Sequence, residues 1–395
     1  MTASAEGITS VGRVRPLRWV ALALLVIAAL IGLWGRRLIP RPSALPHTQP
    51  DPSILVKFPK VRTGWDSPTP YWFLGNLTPP HRFEVGLSTG QFWHTQTDIY
   101  IGDTIPLVLT RTYLSRDSRS RAFGVGTTDS LDIFLVGNSH PFTYLELIMP
   151  NGRRIYYHRV NPGTGYKDAV YRHDAGPGEE RTIFAASTIG WDVNRWDLRL
   201  GDGTILIFPD SGGKTLPGQA ALLQVTTPNG QTLTIIRDEL GNVLRVNSPN
   251  GAWMTLTHDS DNRITQAVDS NGHLLTYSYD GKGRLESVQD PAHGVTHYGY
   301  GDKGLLASVM KPDGTLWLEN TFDSEGRLTS DSIYARKTSY RYHADEKGQI
   351  TATEIFHYDG GIDRYDWDTN GVALKYTQER KAPAGSPTVS SQKQL

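Results

Sequence analysis

The chain has 395 residues, long enough for two domains, and its Lys plus Arg equals its Asp plus Glu at 40 each. That neutral balance removes any whole-chain electrostatic case for nucleic acid as a partner. There is no cysteine, which excludes disulfides, thiolate metal sites and cysteine nucleophiles, while Gly 40, Pro 24 and 10% aromatic residues suit a turn-rich β protein.

Residues 1–18 read as a cytoplasmic tail and residues 19–35 as a transmembrane signal-anchor helix. The run carries no charge, and from Val20 to Ile31 it is wholly apolar. At about 1.5 Å per residue it spans roughly 26 Å, enough for a thin bilayer. Trp19 and Trp34 stand at its two ends, flanked by Arg13, Arg15 and Arg18 on one side and Arg36, Arg37 and Arg41 on the other. No Ala-x-Ala site closes the run, which favours an uncleaved anchor over a cleaved signal peptide or a buried helix. Because the arginines nearly balance, the expectation of an N-terminus inside and a body outside rests on the β-rich mass that follows.

Residues 36–70 hold Pro40, Pro42, Pro46, Pro50, Pro52, Pro59, Pro68 and Pro70, a density that favours an extended, semi-rigid linker. Trp65, Tyr71, Trp72 and Phe73 predict that its far end packs on the body. Residues 71–210 then read as a β domain, and Leu200-Gly-Asp-Gly-Thr-Ile-Leu-Ile-Phe208 reads as a repeat-like strand.

From 211 to 377 the chain repeats itself about every 21 residues. The clearest copies are Tyr277-Ser-Tyr279-Asp280-Gly-Lys-Gly283-Arg-Leu285 and Tyr298-Gly-Tyr300-Gly-Asp-Lys-Gly304-Leu-Leu306. Worn copies run through Phe322 to Gly326, Tyr340-Arg-Tyr342 to Gly348, and Tyr365-Asp-Trp367 to Gly371. Asn262 takes the turn place that Gly241, Gly283, Gly304, Gly326, Gly348 and Gly371 fill elsewhere. Aromatic residues at i and i+2 share one strand face, and Asp-x-x-Gly supplies a tight reversal. Each unit is therefore a β-hairpin that must stack on its neighbours to bury its apolar face. Leu285 and Val288 have opposite parity, so either both faces of that strand are covered or a bulge shifts the phase. Residues 378–395 lack the apolar residues needed to fold and are expected to be disordered.

These copies resemble the YD repeats of the RHS (rearrangement hotspot) family of mostly bacterial surface and toxin-delivery proteins. Upstream, Gly86-Leu-Ser-Thr-Gly90, Thr97-Asp-Ile, and Ile105-Pro-Leu-Val-Leu-Thr-Arg-Thr-Tyr113 with its Arg-x-Tyr motif resemble the domain of unknown function that precedes those repeats. The resemblance implies an all-β spiral or curved sheet of hairpin repeats, which in long members closes into a hollow shell. Seven units are too few for such a shell, so one sheet edge, near Lys375, is expected to be open to a partner.

Chemical motifs yield to local readings. Gly86-Leu-Ser88-Thr-Gly90 has the spacing of a hydrolase nucleophile elbow, but a strand rather than a helix follows. Asp366-Trp-Asp368-Thr-Asn370-Gly371 matches half a calcium loop but meets Thr377 where a bidentate Glu belongs. Gly212-Gly213-Lys214-Thr215 lacks the upstream glycine of a phosphate loop. His258, His273, His293 and His297 form no metal-ligand pattern, and Asn76-Leu-Thr78 is a sequon weakened by Pro79. The expectation is a protein without enzymatic activity, metal or cofactor. It would be a binding or structural module anchored in a bacterial inner membrane, with its body periplasmic or extracellular. The alternatives are a truncated or orphan part of an RHS toxin-delivery system and a carbohydrate-binding surface protein. Expected partners are the membrane, another RHS protein or a cell-surface glycan. The residues to watch are the aromatic ladder Tyr277, Tyr279, Tyr298, Tyr300, Phe322, Tyr340, Tyr342, Tyr365 and Trp367, with Asp280 and the turn glycines. Such rings either form the core of the array or offer a surface to sugars or a partner strand.

Overall fold

The computed structural model describes residues 85–138, 141–150, 152–174, 183–210, 219–380 and 389–394. The tail, the anchor segment, the proline-rich linker, Asn76 and Gly212 to Thr215 lie outside the described residues. Among the described residues every regular element is a strand, and no helix is long and apolar enough to cross a membrane.

Two sheets and a small hairpin make up the body. A first sheet runs in the order Val85–Gly86, Gln91–Ile101, Leu107–Leu114 and Thr127–Asp129, with the hairpin Ser120–Arg121/Gly124–Val125 beside it. The second is antiparallel and has 24 strands from Phe134–Gly137 to Val389–Gln394, and its upstream strands close into a ring through residues 219–226. It runs without interruption past residue 210. The ring closes ahead of the repeats, and not at the last repeat. Gln219–Ala221 pairs with Phe134–Gly137, and a few residues later Gln224–Thr226 pairs with both Ile205–Pro209 and Thr232–Arg237. Strands upstream of the repeats thus form the ring from which the repeat array extends.

Repeat strands alternate as an antiparallel meander should, except at one recurring place per unit and at a further shift between Val309 and Met310. The recurring shift falls at Arg237, His258, Tyr279, Tyr300, Phe322, Ala344 and Trp367, each at the end of a first strand. In the clearest unit Tyr277 lies opposite Val288 and Tyr279 opposite Leu285, so Glu286 is the extra residue. The bulge is the answer to the parity conflict: it returns Leu285 and Val288 to one face.

The turns are held by their aspartates. Asp280 Oδ1 accepts the backbone N–H groups of Lys282 and Arg284, both at 2.9 Å, and Oδ2 accepts Arg284 Nε at 2.7 Å. Asp259 and Asp323 repeat all three bonds. Asn262 holds φ +63° where Gly283 holds +75°, a conformation that Asn tolerates better than other side chains.

The chain's last residues depart from the disordered tail expected of 378–395. Gln378 lies inside the strand Ala373–Arg380, and Val389–Gln394 pairs with that strand from Lys375↔Gln394 to Arg380↔Val389. The edge near Lys375 is therefore covered. Backbone pairing holds this polar segment in place, which an apolar-content criterion overlooks.

Candidate functional site

The first sheet packs on the inner side of the repeat array, and the ladder from Tyr277 to Phe322 meets it and its neighbouring hairpin there. Tyr277, Tyr298, Tyr340 and Trp367 are buried, at 4–8% exposure; Tyr279, Tyr300, Phe322, Tyr342 and Tyr365 are half-buried and pack against the same core. Phe123 lies 4.9 Å from Tyr277 between ring centres, Phe92 6.3 Å from Phe322, and Tyr113 6.4 Å from Tyr300.

At the centre is a buried ion pair. The strand Gln91–Ile101 bulges at Asp98, since Thr97 pairs with Thr110 and Ile99 with Leu109. Arg111 of the Arg-x-Tyr motif donates to it through Nε to Oδ2 at 2.6 Å and Nη2 to Oδ1 at 2.9 Å, with both side chains 4% exposed. The array completes the cluster: Tyr277 OH donates to Asp98 Oδ2 at 2.8 Å, and Arg111 Nη2 donates to Tyr298 OH at 3.1 Å. The guanidinium also lies 5.4–5.8 Å from the rings of Phe123, Tyr277 and Tyr298. Burial works against the Arg111 charge, but Asp98 and the phenols outweigh it and hold its pKa well above the ordinary value. Burial, with Asp98, pushes the Tyr277 phenol well up. A desolvated ion pair is tolerable only with its remaining valences satisfied, and here the two phenols help to do that.

Backbone contacts recur with the repeat. Ile264 N donates to Ala122 O at 2.7 Å, Leu306 N to Tyr113 OH at 3.1 Å, and Leu328 N to Gly90 O at 2.9 Å. Each donor is the residue paired with the last first-strand residue at the bulge. The carbonyls of the same positions serve the next repeat. Tyr279 OH donates to Ile264 O at 2.5 Å, Tyr300 OH to Leu285 O at 2.9 Å, and Tyr342 OH to Leu328 O at 2.7 Å. The preceding repeat's arginine covers each ring: Arg263 on Tyr279, Arg284 on Tyr300 and Arg327 on Tyr342, at 4.5, 4.4 and 5.5 Å. Phe322 has no hydroxyl to give, and Asn320 Nδ2 donates to Leu306 O in its place at 3.1 Å.

The motifs weighed for chemistry are placed as follows. Ser88 lies in a turn between Val85–Gly86 and Gln91–Ile101, without the helix that a nucleophile elbow needs. Asp368 Oδ1 accepts the N–H groups of Asn370 and Val372, so it acts as a turn aspartate. His273 Nδ1 lies 3.0 Å from Asp269 Oδ2, and His293 takes a left-handed turn position at φ +67°. Among the described residues no three His, Cys, Asp or Glu side chains gather as metal ligands would. Asp98, Arg111 and Tyr113 went unassigned in the sequence, although Thr97-Asp-Ile and Arg-x-Tyr marked their places.

Two family models match. One, described as a domain of unknown function, DUF6531, covers residues 84–157; the other, described as RHS Repeat, covers 258–295. The chain carries an RHS repeat behind a DUF6531 domain. Both partners of the ion pair fall in the DUF6531 match, and Tyr277 falls in the RHS-repeat match. Similar solved structures include a Photorhabdus luminescens Tc holotoxin pore, at 11% identity and TM-score 0.34 over 75% of this chain and 15% of that one. A TcdB2–TccC3 structure matches at 10% identity and TM-score 0.31 over 76% of this chain and 22% of that one. The N-terminal domain of the effector SpvB from Salmonella typhimurium strain LT2 matches at 12% and 0.24 over 67% and 99%. The chain thus spans less than a quarter of the Tc toxin chains. A search of the curated proteins found no match.

Proposed function

We propose that this RHS-type protein is a membrane-anchored binding and structural module of the bacterial envelope, working outside the cytoplasm and without catalysis of its own. The observation that carries the reading is the cluster of Asp98, Arg111, Tyr277 and Tyr298, which joins the inserted sheet to the array. An inner face occupied by the protein's own side chains leaves recognition to the outer surface and to the last strands. The uncharged run at 19–35 and the prolines of 36–70 supply the anchor and the spacer.

Fractionation of cells expressing the full chain, with protease added to intact spheroplasts, tests this reading. The expected result is a membrane-bound protein whose body is cleaved from outside. A body recovered in the cytosolic fraction, or protected until the membrane is lysed, would contradict it.

A further inference from the structure

The inserted sheet does not accompany the ladder to its end. Leu87 O accepts from Thr353 Oγ1 at 2.5 Å, and Thr353 pairs with Tyr365, which pairs with Tyr376. The inner row thus runs on for two strands past that contact. Trp367 is buried and fixed by its Nε1 donating to Thr353 Oγ1 at 3.1 Å. Tyr365 stacks on it, with ring centres 5.6 Å apart and planes 13° apart, and Tyr376 follows at 4.9 Å. Both tyrosines are half-buried.

A polar cluster lies beside these rings on the same face. Asp363, paired with Gln378, accepts from Arg380 Nη1 at 2.9 Å and Gln378 Nε2 at 3.4 Å through Oδ1, and lies 3.0 Å from His357 Nε2 through Oδ2. Gln378 Nε2 also donates to Tyr376 OH at 2.7 Å. Among the described residues, Gln378 Oε1 and the Arg380 Nε and Nη2 groups have no partner, and the Arg380 side chain is 40% exposed.

We propose that Tyr365, Tyr376, Asp363, Gln378 and Arg380 form a binding site for a neutral glycan. This rests on reading the protein as a binding module. A pyranose presents an apolar C–H face and an edge of hydroxyls, and the site offers a ring platform beside fixed donors and acceptors. The Asp363 carboxylate is already matched by Arg380, so the cluster does not call for a charged ligand. An added polypeptide strand is disfavoured because Ala373–Arg380 is paired on both sides, with Ile362–Trp367 and Val389–Gln394.

The test is calorimetric titration of the full chain in detergent micelles with cellohexaose, maltohexaose and chitohexaose. At least one of them binds the wild type. Tyr376→Ala weakens that binding by about tenfold, equivalent to ~1.4 kcal/mol, and Gln378→Ala weakens it severalfold. Tyr100→Ala, at an exposed tyrosine of the strand Gln91–Ile101, leaves it unchanged. Thermal melting of Tyr376→Ala close to wild type shows that the loss belongs to the site. No binding of any of these sugars, or equal binding by Tyr376→Ala, overturns the proposal. Either result leaves the fractionation test of the envelope module untouched, so the two readings fail separately.

Discussion

The residue that organises each repeat is the one opposite the bulge, because both of its backbone groups leave the strand ladder. Ile264 and Leu328 each give their N–H to the turns beside the first sheet, at Ala122 and Gly90, and their carbonyl to a tyrosine of the next repeat. Tyr300→Phe would leave the Leu285 carbonyl without its 2.9 Å donor and should cost about 1 kcal/mol in denaturant unfolding. The exception at Asn320 permits a sharper expectation. Its amide nitrogen replaces the hydroxyl that Phe322 lacks, but Oδ1 is buried without a partner among the described residues. Asn320→Leu with Phe322→Tyr restores the usual arrangement and should be more stable than wild type by about 1 kcal/mol, whereas Asn320→Leu alone should be less stable. Equal stability of the two variants would show that the hydroxyl latch carries no weight. The turn aspartates give the pH dependence. Burial opposes ionisation at Asp259, Asp280 and Asp323, but their arginine and backbone hydrogen bonds outweigh it and lower each pKa below 3.8. The folded state therefore binds fewer protons than the unfolded chain. The stability they contribute is complete above about pH 4 and is lost as pH falls through the lowered folded values. Unfolding midpoints measured from pH 5 down to pH 2 should decline steeply, and less steeply in Asp280→Asn.

The element scale shows what the sequence could and could not reveal. Turn positions were legible, Asn262 among them, because an Asp-x-x-Gly reversal is written in neighbouring residues. The bulge was half legible: the Leu285 and Val288 parity demanded either a bulge or two covered faces, and only pairing geometry separates them. The last strand was missed because Val389–Gln394 is held by backbone pairing, which leaves no hydrophobic pattern. Contacts of the inserted sheet were invisible, since Tyr277 and Asp98 are 179 positions apart and no periodicity links them. Close approach also depends on Gly124, at φ +84° in the hairpin, where an added Cβ would strike the Gly283 carbonyl and meet Tyr279 Cδ1 at 3.0 Å. Gly124→Ala should lower stability by about 2 kcal/mol or more, with Gly152→Ala, also at positive φ but with open space around it, the milder control. Removing residues 381–395 would bare Ala373–Arg380. Sedimentation should then show self-association that rises with concentration.

At the scale of the whole molecule, a long antiparallel sheet packs on a second sheet belonging to the same chain, and an ion pair sits where the two meet. Arg111→Met leaves Asp98 buried without its cation and should cost about 3–5 kcal/mol, whereas Arg111→Met with Asp98→Asn should recover much of that loss. The most direct test of the filled body is residue-resolved hydrogen exchange at Ile264, Leu306 and Leu328, whose amide protons are held by Ala122, Tyr113 and Gly90. These amides should exchange as slowly as the central strand amides around them, through the opening of the whole body. Rapid exchange at all of them, with their strands still protected, would mean that the inserted sheet does not occupy the inside of the array.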